Sequence, residues 1–159
     1  MADWQQPRFN LSEQLPALKT LLEDNLPAKL AADSRGLPAI NDAGWLIGEP
    51  TMIGDDEFPA VCISAQQSTR RAVGGGAQEP QSPISVYAAF PYTGNDDGYV
   101  HGLAIAEHAL KVIMENEATD HWTQALRSSL TVQPAWELNV WQGGLATVTL
   151  AGKVVDWRL

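Results

Sequence analysis

The side chains best equipped for chemistry are three histidines, and their spacing limits what they can do. His101 and His108 stand seven residues apart in a stretch with helical periodicity, so they share a face. At 1.5 Å of rise per residue they lie ~10 Å apart along the axis, too far to hold one zinc ion between them. His121 follows in a turn-like segment, and no His-Glu-x-x-His or Cys-x-x-Cys spacing occurs, so neither a metal nor a cofactor is expected. The two helical histidines are read as polar surface or interface groups. Serine nucleophiles lack a Gly-x-Ser-x-Gly elbow, and Ser64, Ser68 and Ser82 fall in strand-like or loop-like stretches. Gly74-Gly75-Gly76 leads toward Pro80 and a further strand, whereas a phosphate-cradling loop leads to Lys-Ser/Thr and a helix; chain flexibility is the better account. Thr93 to Gly98 resembles a calcium loop in composition, but Thr93 and Ala104 stand where an EF-hand needs Asp and Glu, so helix capping is expected there. Asp55-Asp56 and Asp96-Asp97 are adjacent, which is not the same as two carboxylates folded against each other. The lone Cys62 lies in an apolar run and reads as a buried, inert thiol. No residue set is equipped for catalysis, and a non-enzymatic role is expected.

The elements that position these groups can be drawn from periodicity. Leu11, Leu15, Leu18, Leu22, Leu26 and Leu30 recur at three to four residues, the stripe of an amphipathic helix starting near Ser12. Pro27 is expected to break or kink it, leaving residues 27 to 32 as a short second turn. Residues 36 to 58 are rich in Gly, Pro, Asp and Asn and predict irregular chain with one or two short strands. Phe58 to Ala65 reads as a buried strand, and its partner is Ser82 to Phe90, where Ile84, Val86, Ala88 and Phe90 alternate with the intervening residues. The connection from Gln66 to Gln81, which carries Arg70-Arg71 and the three glycines, exceeds an ordinary hairpin loop and is expected to be an extended, mobile tip.

From Tyr99 to Glu117 a second helix places Leu103, Ala106, Leu110, Ile113 and Met114 on one face, with His101, Ile105, His108 and Val112 beside it. A short helical piece is predicted at His121 to Leu126. Strands follow at Ser129 to Gln133, Trp136 to Trp141 and Leu145 to Trp157, with Gln142-Gly143-Gly144 as a hairpin turn. The fold class is therefore α+β: a mostly antiparallel sheet of about four to five strands with a long β-hairpin, packed by two helices on one face. The 159 residues fit a single domain over 1–159.

Bulk composition narrows the function classes. A hydrophobic fraction of 45% with six tryptophans and 18% charged residues is ample for a packed core. Apolar runs such as Tyr87 to Pro91 fall far short of the ~18–20 residues of a spanning helix, and the first residues have no signal-peptide pattern, so cytoplasmic synthesis without a membrane partner is expected. A formal charge of −9 repels nucleic acid, which argues against a dedicated DNA reader and suits a surface that stands near DNA without capturing it. A small ligand-binding or enzymatic α+β domain, its pocket beneath the meander between Trp136, Trp141 and Trp157, is the alternative from a different class.

The phrase Asp56-Glu57-Phe58-Pro59-Ala60-Val61-Cys62-Ile63, followed by a long hairpin, the strand Ile84 to Phe90, an apolar helix and a closing meander, resembles the tail terminator proteins of long-tailed bacteriophages. The likeness in element order covers nearly the whole chain, and only Phe58 to Val61 carries over residue by residue, as strand. The resemblance implies a virion tail or neck protein, assembled in the host cytoplasm. Its subunits form a homo-hexameric ring that caps the tail tube, stops elongation and offers the head-docking surface. The implied partners are further copies of the chain, the tube protein and a head-completion or connector protein, with DNA passing through the lumen and no cofactor. A different neck component, such as a head-completion or tube-like subunit, is the runner-up. Within that frame the expected partner contacts are Arg70, Arg71, Gly74, Gly75, Gly76, His101 and His108, with the arginine-bearing tip ordering against an acidic tube subunit.

Overall fold

The computed structural model describes residues 11–65, 69–74, 77–92, 97–152 and 155–156, with side chains left out for 69–78 and 155–156. In chain order the elements are α1 (Leu11–Ala32), β1 (Trp45–Ile47), β2 (Ala60–Ala65), β3 (Thr69–Gly74), β4 (Ala77–Pro91), α2 (Asp97–Glu115), β5 (Gln124–Glu137), β6 (Trp141–Ala151) and β7 (Val155–Asp156). Five strands run in the order β1-β2-β4-β6-β5, and β3 and β7 both pair with the first half of β4. Only β1 and β2 are parallel among these pairs. The α+β class with a mostly antiparallel sheet and two helices is the architecture found.

Period-two alternation divides the sheet into two apolar faces. Val61, Ile63, Ile84, Val86, Ala88 and Phe90 point to the helices, where they meet Leu18, Leu22, Leu26 and Leu30 of α1 and Ile105, Ala109, Val112 and Ile113 of α2. Ala60, Cys62 and Ala89 point the other way and are covered by Ile53, Phe58 and Trp141. A parallel pair needs a crossover. Residues 48 to 59 provide it between β1 and β2, and this crossover delivers Ile53 and Phe58 to the second cluster.

Four expectations are corrected. α1 continues through Pro27 to Ala32, because Leu26 and Leu30 on either side stay in the core, and their burial outweighs the ~3 kcal/mol an interior proline costs. The residues from Gln124 onward form strand β5, not a helical piece from His121 to Leu126. The Gln66 to Gln81 connection is largely paired strand: β3 aligns with β4 from Thr69↔Gln81 to Gly74↔Ala77, so the hairpin continues as a ribbon of the same sheet, which β7 joins at Ala77 and Gln78. The diglycine lies inside β6, and the turn falls at Leu138 to Val140 instead, with Asn139 at φ 60°.

Close packing explains the displaced diglycine. A Cβ on Gly102 of α2 would overlap the backbone of Gly143 and lie 2.8 Å from Gly144 N, and one on Gly143 would strike the Ala88 carbonyl. Glycines are needed here because a helix lies directly on the strand backbone, a strand role for Gly-Gly that competes with its turn role. The helix is also rotated from its expected face: Ala104, Ile105 and Val112 are buried, while Leu103, Leu110 and Met114 are half-buried.

Candidate assembly surface

Most of the exposed large apolar side chains gather at one end of the sheet. There β4 and β5 end beside the start of β6, with Pro91 opposite Trp141 and Trp141 opposite Glu137. The β5–β6 turn closes through Val140 N–H donating to Glu137 O at 2.9 Å, and Tyr92 N–H donates to Val140 O at 3.1 Å. These bonds fix a corner on which Trp136 is 64% exposed and Leu138 77% exposed, with Tyr92, Tyr99, Val100 and Val140 also exposed.

Beneath the corner a buried tryptophan ties the sheet to the crossover. Trp141 is buried, its indole N–H donates to Pro50 O at 3.1 Å, and its ring meets Tyr87 edge to face at 5.9 Å. Trp136 stands between two depressions. One is a cleft of about 160 Å³ lined by Tyr92, Tyr99, Trp136, Leu138 and Trp141. The other is an open groove of about 340 Å³ lined by Pro50, Tyr87, Pro134, Trp136 and Leu145. Glu137 borders both and is their one carboxylate, with no Lys or Arg in either lining. Trp and Tyr on a fixed backbone offer large contact area at small conformational cost, the makeup of a protein-docking surface.

The structure separates the two helical histidines. His101 lies against Phe90, ring centroids 6.0 Å apart. His108 Nε2 is 2.7 Å from Asp33 Oδ2, in the loop that follows α1. Asp33 is only 8% exposed and also accepts from Arg35, at 2.8 Å from the backbone N–H and 2.7 Å from Nη2. The Arg35 guanidinium, then His108, holds the Asp33 carboxyl well below the usual carboxylate range, and Asp33 in turn raises Arg35. His108 Nδ1 is buried with no hydrogen-bond partner among the described residues, so this cluster is a tie between the α1 end and α2.

Of the remaining expected contacts, Arg70, Arg71 and Gly74 belong to β3, opposite Pro80, Glu79 and Ala77, while Gly75, Gly76 and the Thr93 to Asp96 loop lie outside the described residues. Trp157 lies outside them as well; of the other two tryptophans of the alternative pocket reading, Trp141 is buried and Trp136 exposed. Cys62 is buried, donates to Gly48 O at 3.3 Å, and burial, then the nearby Glu49 and Glu57 carboxylates, pushes its thiol up to about 11. A further groove of about 340 Å³ between α1 and the turn before β5 carries Asp24, Asp120 and His121. Among the described residues no three His, Cys, Asp or Glu side chains are grouped to hold a metal, and no helix is long and apolar enough to cross a membrane. Sequence reasoning missed Tyr92, Tyr99, Leu138 and Val140: Leu138 and Val140 fell inside the strand expected at Trp136 to Trp141, and the four gather only where the strand ends and the start of α2 meet in space. No family model matches the chain, and no curated protein does either.

Proposed function

We propose that this chain is a structural subunit that assembles into a ring, caps the tail tube of a long-tailed bacteriophage, ends tube elongation and presents the surface on which the filled head docks. The observation that carries the reading is the Trp136 corner: a fixed set of exposed aromatic and aliphatic side chains on an otherwise acidic molecule. An apolar surface of this kind marks a place where protein meets protein. The Phe58-Pro59-Ala60-Val61 phrase entering strand β2, the long hairpin and the apolar helix before the last strands support the terminator resemblance in particular, while those strands form a β5–β6 hairpin with β7 returning to β4 where a meander was expected. The net charge of −9 suits a lumen that DNA passes without capture.

Growth of tail tubes tests the capping step. Purified chain added to tube subunits during polymerisation is expected to freeze the length distribution at substoichiometric amounts, because one ring stops one tube. Tubes that keep lengthening, or that bind the protein along their sides as a tube-like subunit would, contradict the reading.

A further inference from the structure

Four aromatic side chains and one carboxylate line the cleft at the Trp136 corner. Tyr92, Tyr99, Trp136 and Trp141 surround a volume of about 160 Å³, and Glu137 is the single charged residue of the lining. Glu137 follows Trp136 in the chain and stands directly opposite Trp141 in the β5–β6 register, so two indoles flank its carboxylate. Among the described residues no cation is paired with that carboxylate. Ring faces attract a cation through their quadrupole and a carboxylate attracts it by charge, so this lining suits a cationic head group and repels an anion. The volume equals about five waters at ~30 Å³ each, room for the roughly four or five heavy atoms of such a group.

A guanidinium fits this lining better than an ammonium. It is planar, stacks on a ring while its edge pairs with a carboxylate, and gives up its hydration more readily. Leu138, Val100 and Val140 are exposed at the same corner, an apolar surround that a free small cation would leave in water and a protein segment would cover. From these observations we propose that the cleft is a binding site for a guanidinium group, presented by an arginine within an apolar segment of a partner protein. The net charge of −9 draws a basic partner from a distance, and the cleft then selects one side chain. The inference deepens the docking reading of the corner by naming the group it accepts, and it rests on that reading for the partner.

Two-dimensional NMR of the full chain titrated with N-acetylarginine methylamide tests the site. Saturable shifts of the Trp136 indole and of the amides around Glu137 are expected, with a dissociation constant in the millimolar range that suits one small head group. N-acetylcitrulline methylamide has nearly the same shape without the charge, and it binds about tenfold or more weakly. Glu137→Gln and, separately, Trp136→Ser weaken the arginine probe by about tenfold or more, the scale of losing a charge pair or an aromatic anchor, and far-UV circular dichroism checks that each variant is folded. A peptide with arginine between leucines binds about tenfold or more tightly than the amide, because it also covers the apolar surround. No saturable shift, equal binding of the uncharged probe, or an affinity untouched by both substitutions overturns the site. Tetramethylammonium binding as tightly as the peptide overturns the partner assignment in favour of a free cation. A Glu137→Gln chain that loses the arginine probe and still forms rings on tube ends removes this cleft from docking and leaves the capping role standing. Wild type that binds the probe and never stops tube growth removes the capping role and leaves the site standing.

Discussion

At the scale of single residues, the Asp33, Arg35 and His108 cluster shows how a loop is fastened to a helix. Asp33 accepts from both partners and is held ionised far below its ordinary value of 3.8. A carboxyl whose folded value is depressed contributes stability that is present above its unfolded value and lost as pH falls through the folded one. The melting temperature of wild type is therefore expected to exceed that of Asp33→Asn at pH 7, with the gap narrowing as pH falls from about 4 toward 2. A gap that stays constant over that range would mean the ionised carboxyl is not what holds the loop. This cluster was only half legible in the sequence. His108 could be placed on the helix face beside the core stripe, but its partner lies 75 residues away, and no local pattern records that pairing.

At the scale of elements, the agreement between α2 and β6 rests on three glycines. Replacing Gly102 with Ala would by helix propensity alone stabilise an exposed helix by about 1 kcal/mol. Here the added methyl meets the Gly143 and Gly144 backbones, and the expected net effect is a loss of about 1–3 kcal/mol, the range for overpacking a tight contact. Urea denaturation of Gly102→Ala would read this as a lower midpoint; an unchanged or higher midpoint would mean that the helix stands off the strand. Strands β2 and β4 were legible because β-branched residues alternate there, and α1 was legible from its leucine stripe. The β5–β6 hairpin was not, because Gly-Gly serves either a turn or a close helix contact, and only the tertiary neighbour decides which. The ribbon reads as a loop in the sequence for a related reason: arginines, glycines and Pro80 hide a ladder whose pairing depends on β4 being one long strand.

At the scale of the whole molecule, the long strand β4 separates the aromatic corner at one end of the sheet from the β3–β4 ribbon at the other. Two helices seal one face and the 48 to 59 crossover covers part of the other, and among the described residues most of the exposed large apolar side chains gather at the corner. The fold class could be read from element order alone, since alternating strands around an apolar helix admit few packings. The corner could not, because it forms only when the ends of three strands and the start of α2 meet in space. The central claim is that copies of this chain close a ring on the tail tube, and electron microscopy of purified chain mixed with isolated tubes tests it most directly. A six-subunit ring at one end of each tube is the result expected; binding along the tube wall, or no binding, would contradict it.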